Sequence, residues 1–140
     1  MKSTDLYKLN KSMFPSADLQ FSDVDYALPD STWLTGKFYE FYKAWRTDYG
    51  FDTWSNRLDC DNFSCMFFCF AQLCHAKSDR PEQAIAVGEF FYGKDGDKIN
   101  KGHAINIALT EKGLIHIEPQ TGQILKLSQA EKDSAWFIRY

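Results

Sequence analysis

Apolar residues recur along this chain with two periods, and the point where the period changes divides it. Between Gly36 and Gly50, Phe38, Phe41, Tyr42 and Trp45 fall at i, i+3, i+4 and i+7, which predicts an amphipathic helix with an aromatic face toward the core. Lys37, Lys43 and Arg46 alternate with that stripe and read as its solvated side. A second helix is predicted from Cys60 toward Lys77. There Cys60, Phe63, Phe67, Phe70 and Cys74 recur at helical spacing, with Asp59 as N-cap and Asp61 and Asn62 in the first turn. Its apolar content predicts burial over much of its circumference.

From Ala84 onward the pattern shortens. "AIAVGEFFYG", "GHAINIAL", "GLIHIEPQ" and "SAWFIRY" are β-branched or aromatic runs separated by Gly, Asp and Lys, and they predict four strands, most simply an antiparallel sheet. "KSDRPEQ" reads as the turn-rich link between the second helix and the sheet. Residues 1–36 are polar, carry Pro15 and Pro29 and lack a clean period, so they predict an irregular arm pinned by Phe14, Phe21, Tyr26 and Trp33. Helices followed by strands predict a single α+β domain over residues 1–140, with the second helix packed on the sheet.

Composition narrows the partners. A chain of 140 residues holds one core, and a formal net charge of −3 excludes the basic field of a nucleic-acid binder. No stretch approaches the roughly 20 apolar residues of a membrane span, and "MKSTDLYKLNKSMF" has no continuous apolar leader, so a cytoplasmic protein is expected. All four cysteines read as thiols, since three of them lie in one helical segment where they cannot all pair. The oligomeric state is silent in the sequence.

Cys60 differs from the other three. The start of a helix favours a thiolate, whereas Cys65, Cys69 and Cys74 lie farther along among phenylalanines, where burial raises a thiol pKa. Asp59 and Asp61 oppose the negative charge, so a cationic partner is required. His75 lies about 22 Å away at about 1.5 Å per residue and cannot serve. That leaves His103 and His116. A hairpin turning through "LTEK" with Gly113 at positive φ sets Ala108 against Gly113 and Ile105 against His116, which brings His103 opposite Glu118. Cysteine, histidine and carboxylate in that order fit nucleophile, base and orienter. The alternative is a small core thiol, a strand-end histidine and a surface glutamate.

The motifs "DCDNF", "GHAINIA" and "IEPQTG", spread over roughly residues 54–140, resemble the papain-like cysteine protease domain at the carboxyl end of certain fungal agglutinins. The resemblance implies a papain-like fold and a cysteine peptidase, a thiol hydrolase cutting protein or peptide substrates through an acyl-enzyme. It makes Cys60 the nucleophile, His103 the base and Glu118 the third member. It also implies calcium, with Asp59, Asp61 and Gln120 as the places to look for its ligands. Papain-like enzymes often place an oxyanion glutamine shortly before the cysteine. "DTWSNRLDC" has none, leaving Trp54 and Asn56 as the side chains available there.

Two further readings stand beside this one. "GHAINIALTEKGLIHIEPQ" is also similar to the His and Glu strands of CHAP-type and NlpC-type peptidoglycan hydrolases. A papain-like scaffold can instead serve as a non-catalytic binding or inhibitory module, which the long arm and the missing glutamine favour. Zinc on Cys65, Cys69, Cys74 and His75 is disfavoured because structural zinc uses paired short loops. "KDGDKIN" lacks the closing glutamate of an EF-hand and reads as a hairpin turn.

Overall fold

The computed structural model describes residues 1–78 and 82–140. The middle of the predicted "KSDRPEQ" link lies outside the described residues. Helices α1 (Ser3–Met13), α2 (Ser31–Thr35), α3 (Lys37–Asp48), α4 (Cys60–Ala76) and α5 (Gln129–Asp133) accompany eight strands. These are β1 (Asp18–Gln20), β2 (Tyr26–Ala27), β3 (Ala84–Ile85), β4 (Val87–Gly93), β5 (Gly102–Thr110), β6 (Gly113–Ile117), β7 (Ile124–Leu125) and β8 (Phe137–Arg139). Six strands form one sheet in the order β1-β8-β4-β5-β6-β7, and β2 pairs with β3 separately. The large sheet is antiparallel except at the β1–β8 edge, and β2–β3 is also parallel, so the expected purely antiparallel arrangement is corrected to a mostly antiparallel one.

The expected irregular arm begins as a helix. Leu6, Leu9 and Met13 recur at i, i+3 and i+7, and this narrow stripe packs α1 onto the sheet with Phe14 at its end. Two lysines and four Ser, Thr or Asn residues along the same helix mask the period. Burial of Leu6 and Phe14, each worth about 1.5–3 kcal/mol, outweighs the weak local propensity.

The sheet is covered on both faces. Phe14, Phe90, Ile105, Ile107, Ile138 and Tyr140 form one core with α1, while Phe38, Tyr42, Phe67, Ala71, Val87 and Ala108 form the other with α3 and α4. β5 alternates accordingly: Ile105 and Ile107 fill the first core, and the small Ala108 on the opposite face lets α4 approach. Two buried polar side chains lock that approach, since Ser64 Oγ donates to the Ile105 carbonyl at 2.8 Å and Asn106 Nδ2 donates to the Ser64 carbonyl at 2.9 Å.

The face of α3 is rotated from the expected one. Phe38, Tyr39, Tyr42 and Arg46 are buried, whereas Phe41 is exposed. Arg46, read from the sequence as solvated, is thus part of the interior. Similarly, α4 buries Phe63, Ser64, Phe67 and Ala71 but leaves Cys69 exposed and Cys65 and Cys74 half-buried, so it is less enclosed than its composition implies.

Candidate functional site

Cys60 opens α4, as its sequence position implies. Asp59 and Asn62 form a capping box, in which Asn62 Oδ1 accepts the Asp59 N–H at 3.1 Å. That cap fixes where the helix starts, and so sets the Cys60 thiol at the first-turn amides. The thiol is hydrogen-bonded to His103 at the beginning of β5, and this bond holds its pKa below the ordinary value. Burial works the other way, and the Ala104 N–H supports the lowering. Cys65 and Cys74 are pushed upward, chiefly by burial.

His103 is itself two-sided. Nε2 meets Glu118 Oε2 at 2.9 Å, which leaves Nδ1 as the ring nitrogen for the thiol. Burial disfavours its charge, but the hydrogen bonds to Cys60 and Glu118 prevail and raise its pKa to about 9. At neutral pH the centre is an imidazolium between a thiol poised to ionise and a carboxylate.

Glu118 reaches His103 by a different register from the expected one. The β5–β6 hairpin closes with Thr110 opposite Gly113, Ala108 opposite Ile115 and Ile107 opposite His116, two residues away from the sequence-based pairing. A two-residue slip preserves the face of every side chain, because the strand period is 2. β6 ends at Ile117, and the chain turns through Pro119 with the Gly122 N–H on the Glu118 carbonyl at 2.8 Å, so Glu118 meets His103 from the turn. Gly122 has φ of +74°, and a Cβ there would lie 2.6 Å from the Tyr39 ring. Gly122→Ala is therefore expected to cost about 1–2 kcal/mol in a denaturant titration, from left-handed strain and displacement of Tyr39.

Asn56 is exposed inside the loop that the Ser55–Leu58 pair closes, and Trp54 is exposed just before it. Among the described residues no hydrogen bond or ring contact ties either of them to Cys60, His103 or Glu118. The Asp59 carboxyl is bonded to that of Asp61, which raises its pKa, and Asp59 Oδ1 is buried without a partner. These two carboxyls supply part of the six to eight oxygens calcium takes. Among the described residues no cluster of three or more His, Cys, Asp or Glu side chains is placed to hold a metal ion. The Gln120 carbonyl accepts from Tyr39 Oη at 2.8 Å and Arg46 Nη2 at 3.2 Å. Its position beside a guanidinium makes it a poor cation ligand. A cavity of about 610 Å³ lies elsewhere, along α4 between Phe68, Leu73 and Ala84.

No family model matches the chain, and no curated protein matches it. Solved structures do. A Polyporus squamosus lectin, described as bound to the "human-type influenza-binding epitope Neu5Aca2-6Galb1-4GlcNAc", superposes with a TM-score of 0.74 at 17% identity, over 100% of this chain and 49% of the lectin chain. A structure described as a PSL1a–E64 complex gives 0.74 at 18% identity, over 100% of this chain and 51% of that one. The chain thus spans about half the length of these neighbours and shares the fold of that half.

These matches correct the recognition made from "DCDNF", "GHAINIA" and "IEPQTG". The neighbours are a glycan-binding lectin, not a protease domain. The cysteine-peptidase activity, its protein or peptide substrate and the peptidoglycan-hydrolase variant are withdrawn on the same finding. What stands for the architecture is a mixed α and β fold with a mostly antiparallel sheet. No helix among the described residues is long and apolar enough to cross a membrane.

Proposed function

We propose that this chain is a non-catalytic binding module, in which a papain-like placement of helix-start thiol, strand histidine and turn carboxylate is kept as the polar centre of a ligand site. The observation that carries this reading is the full-length superposition on half of a lectin chain. Cys60, His103 and Glu118 are the site residues, with Trp54 and Asn56 on the exposed loop that precedes α4. An exposed aromatic such as Trp54 offers an apolar face with a polar edge, a surface suited to a sugar ring. Glycans are accordingly the ligand class. Calcium at this site would take Asp59 and Asp61 as carboxylate ligands. Four free cysteines support a reducing, cytoplasmic setting.

Isothermal titration of the chain with Neu5Acα2-6Galβ1-4GlcNAc, repeated in Trp54→Ala, tests the reading. Saturable binding that weakens at least about tenfold in the variant, a loss of roughly 1.4 kcal/mol, is expected. No saturation up to about 10 mM, well beyond the roughly 1 mM that corresponds to −4 kcal/mol, overturns it.

A further inference from the structure

Arg46 is only 3% exposed, yet no carboxylate pairs with it among the described residues. Its guanidinium lies over the rings of Tyr42 and Phe63, at 4.9 and 5.2 Å from their centroids. Nη2 donates to the Gln120 carbonyl, whereas Nε and Nη1 have no partner. Burying a charge without a counter-charge is strongly unfavourable, and orphan donors add to that cost. Such a residue needs a reason, and the bond it does make supplies one.

The Gln120 carbonyl is held twice, by Arg46 Nη2 and by Tyr39 Oη. Both donors stand on the buried face of α3, about two turns apart, beneath the segment 118–122. On its other side Gln120 donates its N–H to Glu118 Oε1 at 3.4 Å, while the second oxygen of the same carboxylate meets His103. Gly122 lies directly on the Tyr39 ring, so the whole turn is seated on α3. A continuous series of contacts therefore runs from α3 through Gln120 to Glu118, His103 and Cys60.

We infer that Arg46 and Tyr39 are positioning residues for this site: by gripping Gln120 from helix α3 they fix the carboxylate against His103. The inference rests on the reading of Cys60, His103 and Glu118 as the site. It assigns to the aromatic helix a task beyond core packing.

The sign of one measurement separates positioning from mere charge. Arg46→Met removes a buried cation, and electrostatics alone would leave the imidazole pKa unchanged or raise it. Loss of the grip on Glu118 would lower it. The experiment is an NMR titration of the His103 ring in the wild type, Arg46→Met, Arg46→Lys, Tyr39→Phe and, as a distant control, Tyr140→Phe. Tyr140 donates to Asn10 on the α1 side of the sheet and tests for a general loosening of the fold. The expected result is a fall of about one unit or more in Arg46→Met, a smaller fall in Tyr39→Phe, partial recovery in Arg46→Lys and no change in Tyr140→Phe. Should Arg46→Met fail to fold, the neutral Tyr39→Phe variant decides alone. An unchanged or raised value in folded Arg46→Met and Tyr39→Phe overturns the inference while leaving the site intact. A wild-type His103 that titrates near its ordinary value removes the site itself, and this inference with it.

Discussion

Cys60 is expected to react with iodoacetamide at pH 6.5 at least about tenfold faster than Cys74, and His103→Ala is expected to abolish the difference. An ordinary thiol with a pKa of about 8.5 is only about 1% thiolate at that pH. The hydrogen bond to His103 lowers the Cys60 value, and burial raises that of Cys74. A lowered pKa also lowers intrinsic nucleophilicity, so the gain in rate is smaller than the gain in thiolate. The pH profile carries more information than a single rate. It should rise at the lowered thiol pKa, and change again near 9 as His103 loses its proton. Glu118→Gln should shift the second step downward, since the carboxylate is one of the two groups that raise the imidazole value. Peptide mass spectrometry assigns each adduct to its cysteine. If Cys60 follows the same profile as Cys74 in both wild type and His103→Ala, the ion pair does not form. The three side chains would then be neighbours without chemistry.

How much of this centre can be read from the chain depends on which forces act locally. The helix start at Cys60 was legible because Asp59 and Asn62 are capping residues whose effect spans one turn. The approach of His103 to Glu118 was legible on less secure grounds. The hairpin turn was placed two residues out, and an even slip keeps the face. Arg46 was not legible at all. Its spacing fits the polar side of α3, and only the turn at Gln120, which arrives from far along the chain, draws it inward. α1 was hidden for a related reason: its stripe is one residue wide, and tertiary burial rather than composition makes it a helix. Function lay furthest from the sequence. Motif likeness pointed to a peptidase, whereas the fold that these residues build is shared with half of a lectin. A constellation of reactive side chains specifies a local environment, and the ligand is chosen by the surrounding surface.

The second large effect concerns the histidine left out of the site. His116→Phe is expected to remove about 2.5 kcal/mol of acid sensitivity between pH 7.5 and pH 4.5. His116 stands in β6 at 5% exposure, its ring edge-on to Phe14 and Phe90 at 5.7 and 4.8 Å, with Nε2 lacking any partner. Burial, with a lesser contribution from Lys132, depresses its pKa to about 4. The unfolded chain takes up a proton near the ordinary value of about 6.5, which the native state refuses until about 4. Because the unfolded state binds the extra proton, stability falls as pH drops through that window and levels off below it. Carboxylates titrate in the same range in both proteins, so the quantity to compare is the loss on acidification, not stability at one pH. Denaturant midpoints at the two pH values, in wild type, His116→Phe and His116→Leu, give it directly. Phenylalanine extends the cluster of Phe14 and Phe90, and leucine guards against overpacking by a larger ring. Equal losses in all three proteins would mean that the imidazole is charged in the native state, which would require a solvent path to Nε2 past Phe14 at the end of α1.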